Sequence, residues 1–262
     1  MDTVRPFALI TGAASGMGRH YCLQLAKAGY GIIAVDINDN GLDTLGKELE
    51  GSLYIKVCMD ITLSDAAQRI GAIADQAGAE VEVLVNNAGM IFTTAICDTA
   101  PEKLEAMMRL HCVSPLLLCR EFVPKMKARG KGYVLNISSI CAWMDWPLIG
   151  MYGNTKRFIK DYSRSLRIEC AGTGVSVTTA IFGAVDTPLF GFSKKATKFM
   201  LAAGVMASPQ KAVSRAVKAM FDKRKSVMVG LGSRCAIAIS RIIPDFILSR
   251  LARKIGPIIN RS

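Results

Sequence analysis

The chain has 262 residues, 51% of them hydrophobic, with 33 Lys or Arg, 21 Asp or Glu and eight Cys. That length suits one α/β domain with a large core and leaves no room for a second. The cysteines show no C-x-x-C or Cys/His ligand spacing, so no metal site is expected and the thiols read as reduced, in a cytoplasmic protein.

No charged-then-apolar leader opens the chain, and secretion is not expected. The apolar run 7–11 reads as a strand that leads into TGAASGMG at 11–18, and 17–28 reads as a helix. Strand, glycine-rich turn and helix make a phosphate cradle. Glycine lets the backbone approach a pyrophosphate, and the helix N-terminus faces its charge. The glycines are Gly12, Gly16 and Gly18, a spacing that does not meet G-x-G-x-x-G literally. A second strand, 31–35, ends on Asp36, placed to accept hydrogen bonds from a ribose diol. Its carboxylate would repel a 2′-phosphate, which favours NAD over NADP.

Further along, helices are expected at 39–50, 63–78, 101–129, 150–172 and 208–222, with Pro115 kinking the long one. Strands are expected between them at 53–57, 81–86, 132–138, 175–181 and 226–229. Strand–helix alternation implies right-handed crossovers and a parallel sheet covered on both faces. The glycine turn, NNAG at 86–89 and Ser139 all fall at the carboxyl ends of strands, where such sheets bind ligands.

Tyr152 and Lys156 stand one helical turn apart, thirteen residues beyond Ser139. A phenol titrates near 10, so acid–base work at neutral pH needs a shift of roughly 3 units, or about 4 kcal/mol. A lysine one turn away stabilises the phenolate and supplies part of that shift. Ser139 would orient a substrate oxygen beside the tyrosine. Alone, Y-x3-K is often just a solvated helix face; the preceding motifs give it weight.

Together these motifs resemble the short-chain dehydrogenase/reductase family, from about Pro6 to Val229. The resemblance implies a single Rossmann-type doubly wound α/β domain, residues 1–230, with a seven-stranded parallel sheet. It implies that Ser15, Gly16, Met17 and Gly18 cradle the dinucleotide with Gly12. Asp36 and Ile37 would hold the adenosine ribose, and Asp60 and Ile61 the adenine. Asn87, Ala88 and Gly89 would line the middle of the cofactor, with Gly183, Val185 and Thr187 at the nicotinamide. By the same resemblance Tyr152 exchanges the proton, Lys156 tunes it and holds the nicotinamide ribose, and Ser139 binds the substrate oxygen.

Two positions depart from the family pattern. Where the family has an asparagine that kinks its helix and holds a relay water, this chain has His111. Its ring offers the same donor and acceptor types, and either joins the relay or merely fills space. Phe182 replaces the proline of the usual Pro-Gly, which reshapes the pocket and leaves Gly183 in place.

Trp143 and Trp146 lie between Ser139 and Tyr152, and Phe182 and Phe190 belong to segments that border the same cleft in the family. Met144, Met151, Ile91, Phe92 and Phe192 share that neighbourhood, although each is equally at home in an ordinary core. Flat apolar walls beside a polar oxygen site suit a bulky hydrophobic alcohol or ketone such as a steroid or bile acid, and next a long-chain acyl compound. Cys141 reads as lining the site. In the lid segment 186–207, Lys194, Lys195 and Lys198 either meet an anionic substrate end or are a solvated surface.

Residues 194–262 hold fifteen Lys or Arg against two acids, a net of +13, so residues 1–193 are near neutral. Aromatic residues for base stacking are scarce there, and nucleic acid is not the expected partner. Residues 231–262 read as a basic amphipathic helical tail, too interrupted by arginines to span a bilayer. It would lie on an anionic membrane surface, cover a second subunit or cover the cleft. A homodimer or homotetramer is expected by resemblance. The functional expectation is an NAD-dependent oxidoreductase; a catalytically weak dinucleotide sensor docked by its tail, or a 3-oxoacyl reductase, is the alternative.

Overall fold

Aliphatic residues at successive positions along each strand point to opposite faces of a sheet, so a sheet buried on both faces needs nearly continuous apolar runs. The first half of the chain supplies them in β1 (Phe7–Thr11), β2 (Gly31–Asp36) and β4 (Val81–Asn86), whose residues are buried almost throughout. The computed structural model describes residues 5–144, 146–186 and 206–230, and in the tail 237, 238, 240, 242–250 and 253. Between these strands lie α1 (Gly16–Lys27), α2 (Asp39–Glu48), β3 (Tyr54–Cys58) and α3 (Ala66–Gln76). The second half runs α4 (Pro101–Met108), a π-turn (Arg109–Val113), α5 (Ser114–Arg129), β5 (Gly132–Ser139), α6 (Gly150–Glu169) and β6 (Val175–Phe182). Two short strands, β7 (Ala184–Val185) and β8 (Met206–Ala207), precede α7 (Pro209–Phe221) and β9 (Ser226–Val229).

Seven strands pair in parallel, as the alternating pattern implies, and their order is β3-β2-β1-β4-β5-β6-β9. Ile10, Ile32 and Val83 belong to one apolar cluster and their neighbours Leu9, Ile33 and Leu84 to the other, one cluster on each face. Each such aliphatic side chain contributes about 1.5–3 kcal/mol by leaving water. β1 lies between β2 and β4, which makes its carboxyl end the switch point of strand order.

The helix expected over 101–129 is two helices joined by a π-turn. Pro115 lacks the N–H that an α-helix would give to the carbonyl of residue 111. The backbone instead widens by one residue at Arg109–Val113, and Pro115 takes a first-turn position in α5. Ser114 Oγ fills the resulting gap by donating to the carbonyls of Arg109 and Ile61. In the tail, residues 237, 238, 240, 242, 245–250 and 253 are helical. Among the described residues no helix is long and apolar enough to cross a membrane.

Candidate active site

Gly12 and Gly16 take the left-handed conformation, with φ of 65° and 51°. That turns the chain sharply between β1 and α1, a backbone shape side chains disfavour. Gly18 serves a different purpose: a Cβ there would lie 1.8 Å from the carbonyl oxygen of Gly12. Its bare backbone lets α1 press onto the turn, and it does not line the cleft. No side chain caps the start of α1 and no acid sits in its first turn. The helix N-terminus therefore keeps amide donors and partial positive charge for an anion.

The NNAG segment is stitched to this turn. Asn87 Nδ2 donates to the carbonyl of Thr11 at 2.9 Å, and the amides of Asn87 and Ala88 donate to Thr11 Oγ1 at 3.0 and 3.1 Å. Motifs 76 residues apart thus form one wall.

At the end of β2, the Asp36 carboxylate accepts from the amides of Ala14 and Asn38, each at 2.9 Å. A carboxylate offers about four lone-pair sites, so two remain for a diol. Arg19, the cation nearest the turn by sequence, points elsewhere. Its guanidinium donates through two nitrogens to both oxygens of Glu48, at the end of α2. Asp60 Oδ1 accepts from the amide of Thr62 at 2.8 Å, which fixes the loop after β3.

The register of β5 against β6 pairs Ser139 with Phe182 at the strands' carboxyl ends. Ser139 Oγ accepts from the amide of Cys141 at 3.2 Å. α6 then brings Tyr152 and Lys156 to the same place, 5% exposed each. Lys156 Nζ donates to the carbonyl of Ile137 at 3.1 Å and lies 5.6 Å from the centre of the Tyr152 ring. Burial pushes the Tyr152 phenol well above its ordinary range, and a hydrogen bond from Ser139 offsets only part of that. The same burial pulls Lys156 down to about 8. In the protein by itself desolvation therefore dominates at Tyr152, the reverse of the expected downward shift. Burial also raises the Cys141 thiol, which keeps it neutral beside Ser139.

His111 sits behind this cluster, 1% exposed. Its Nε2 accepts from the amide of Met90 at 2.9 Å, and its Nδ1 lies 2.8 Å from Thr155 Oγ1. Both ring nitrogens are occupied by protein groups, so the ring does more than fill space and holds no relay water with its side chain.

A model of the short chain dehydrogenase family matches residues 6–198. The chain belongs to that family. Two curated relatives are the very-long-chain 3-oxoacyl-CoA reductase of Pyricularia oryzae and the 17-beta-hydroxysteroid dehydrogenase type 3 of Mus musculus. The first is 32% identical over 65% of this chain and 54% of that protein; the second is 30% identical over 73% and 64%. The chain therefore spans little more than half the length of these relatives. A solved 7beta-hydroxysteroid dehydrogenase superposes with a TM-score of 0.84 at 25% identity, covering 94% of this chain and 96% of that one. Other solved structures of the fold were determined with NADPH, at 24% identity and TM-score 0.77, or with NADH, at 22% and 0.78. They cover 90% and 86% of this chain, and 93% and 97% of their own lengths. Members of the family are oxidoreductases that use a nicotinamide dinucleotide.

In this short-chain dehydrogenase a cleft of about 540 Å³ runs along the switch point. Of the residues expected at the cofactor, Gly12, Ser15, Gly16, Met17, Asp36, Ile37, Asp60, Ile61, Asn87, Ala88, Gly89, Gly183 and Val185 line it, with Ser139, Tyr152, Lys156 and Phe182 at one end. Thr187 and Phe190 lie outside the described residues, as do the three lid lysines. Trp143 and Trp146 do not line this cleft, nor do Ile91 and Phe92. Trp143 instead carries the Lys160 ammonium 5.0 Å from its ring centre, and Trp146 keeps a buried Nε1 without a hydrogen-bond partner among the described residues. Sequence reasoning missed Met90, Ala106 and Leu110, apolar residues that line the cleft. Only their nearness to NNAG and to His111 signals them.

Proposed function

We propose that this short-chain dehydrogenase interconverts a secondary alcohol and a ketone on a bulky, largely apolar substrate, with NAD(H) as its dinucleotide. The observation that carries the reading is the meeting of Ser139, Tyr152 and Lys156 at one end of a cleft that also holds the glycine turn and Asp36. The residues present fit such a cofactor: an uncapped helix N-terminus for phosphate, spare carboxylate lone pairs for a diol, and a continuous groove between them. When bound, the nicotinamide supplies the hydride donor or acceptor. Tyr152 Oη gives its proton to the substrate oxygen in reduction and takes it in oxidation. Ser139 Oγ orients that oxygen, and the Lys156 ammonium lowers the cost of the phenolate.

Asp36 and the engagement of Arg19 by Glu48 support NAD over NADP. Phe182, paired with Ser139 at the strand ends, gives the substrate end an apolar wall, which supports a steroid or bile acid; the acyl reductase relatives support a long-chain 3-oxoacyl compound as second choice. We assign residues 1–230 to catalysis and 231–262 to a basic tail that rests on anionic membrane. Exposed Phe158 and Ile168 along α6 support a homodimer or homotetramer. The deciding experiment mixes the protein with NAD or NADP and a panel of hydroxysteroids and 3-hydroxyacyl thioesters, following absorbance of the reduced nicotinamide. Reduction of NAD by a hydroxysteroid supports the reading. Turnover confined to small polyols, or none with any alcohol, overturns it.

A further inference from the structure

A neutral imidazole has one ring hydrogen, and hydrogen-bond partners reveal which nitrogen carries it. His111 Nε2 faces the amide of Met90, which only donates, so Nε2 is bare and the hydrogen sits on Nδ1. Nδ1 then donates to Thr155 Oγ1, whose own hydrogen goes to the carbonyl of Tyr152 at 2.8 Å. Every link from Met90 through His111 and Thr155 to Tyr152 runs in one direction, and none is left open.

Packing holds the ring as firmly. A Cβ on Gly89 would come within 3.2 Å of Nε2, so the ring occupies the room that glycine leaves. Its edge meets the Tyr152 ring at 5.8 Å and 75°. We propose that His111 is a positioning residue: a neutral strut that ties the backbone of Gly89 and Met90 to the turn of α6 bearing Tyr152 and Lys156, and that takes no proton during turnover. The functional half of this rests on the reading of the cleft as a dinucleotide site, because Gly89 and Met90 line it. The groups around the ring agree. Lys156 on α6 places a charge near it, the Tyr152 phenol lies at its edge, and Cys112 on its own turn is a neutral thiol. Protonating Nε2 would set two donors against each other and a second cation near Lys156. Burial and Lys156 accordingly hold the imidazole well below its ordinary range.

The chain has two histidines, His20 and His111, so nitrogen-15 imidazole spectra of the whole protein resolve both, and His20→Gln assigns them. We expect one ring with its hydrogen on Nδ1, unchanged down to about pH 5.5, a unit below the ordinary histidine value. Hydrogen on Nε2, or a charged ring at about pH 6, overturns the strut. NADH binding, followed by nicotinamide fluorescence, gives the second readout. His111→Gln puts an amide oxygen where Nε2 stood and keeps the Met90 bond; His111→Asn puts an amide nitrogen where Nδ1 stood and keeps only Thr155. Binding by the Gln variant should stay within about threefold of wild type and that by Asn should weaken about tenfold, the effect of one stranded buried amide. Asn binding as well as Gln or better overturns the proposal. If the wild type bound neither NADH nor NADPH, the cofactor reading would fall, and the imidazole spectrum would still decide the strut.

Discussion

Arg19 grips Glu48 through two guanidinium nitrogens, which ties the first turn of α1 to the end of α2. This is the cation best placed by sequence to welcome a 2′-phosphate, and its charge is already met. Asp36 therefore faces the cleft with its repulsion unrelieved. NADH should bind at least about tenfold more tightly than NADPH, a difference of about 1.4 kcal/mol. Titration of each by fluorescence checks this, and equal affinities would refute it. Glu48→Gln frees Arg19 and should narrow the gap.

Replacing Tyr152 by Phe removes the hydroxyl proposed to exchange the substrate proton while keeping the ring against His111. Turnover should fall by at least about 100-fold, the lower end of general acid–base contributions. NADH affinity should stay within about threefold. A variant retaining a tenth of its activity would point to another acid.

Lys156 provides a test in the denaturation curve. Its folded value is pulled to about 8 while the unfolded lysine stays near 10.5, so between these values the unfolded chain holds more protons. Stability contributed through this group rises with pH across that window. Below pH 8 the buried ammonium costs about 3 kcal/mol relative to above 10.5, from the size of the shift. Without cofactor, Lys156→Met should be more stable than wild type at pH 7 in urea, and the gap should shrink by pH 9.5. A gap independent of pH would mean the ammonium is solvated.

Gly18→Ala separates packing from cofactor contact. The added carbon would collide with the carbonyl oxygen of Gly12, a backbone atom that cannot rotate away, and would crowd the Asn87 side chain as well. A loss of about 3 kcal/mol is expected, at the top of the overpacking range, which lowers Tm by roughly 6–12 °C for a domain of this size. An unchanged Tm with weakened NADH binding would return Gly18 to the cofactor.

For the tail, Ile242, Phe246 and Ile247 are exposed, and the Arg250 guanidinium lies 5.9 Å from the Phe246 ring centre. Removing residues 234–262 should leave NADH binding intact and reduce sedimentation with phosphatidylserine vesicles, an effect that added salt reproduces. Serine at all three apolar positions should act in the same direction. Loss of folding on truncation would make the tail part of the core or of a subunit contact.

The strands of the parallel sheet, the glycine turn and the Ser139–Tyr152–Lys156 cluster were legible because each rests on local chemistry: apolar runs, left-handed turns and one-turn helical spacing. What escaped depends on how the folded backbone brings residues together. Nothing near Gly18 in the chain announces that the carbonyl of Gly12 blocks a side chain there. Nothing beside His111 reveals Met90 as its partner, although Thr155, three residues after Tyr152, sits where a hydroxyl commonly bonds back to its own helix. The position of the tryptophans off the described cleft was hidden for a similar reason. Their place between Ser139 and Tyr152 in sequence is compatible with a position off the cleft, because the segment leaves β5 in a 3₁₀ turn that turns Trp143 toward Lys160.

β7 and β8 have a consequence for how such a protein diversifies. Ala184 pairs with Met206 and Val185 with Ala207, and the amide of Asp186 donates to the carbonyl of Ala207, so two points more than twenty residues apart in the chain are held side by side. Closing a loop costs only about 0.6 kcal/mol for each doubling of its length. Insertions or deletions between those two strands would barely tax the sheet, and a lineage is free to rewrite that segment while the rest of the domain stays fixed.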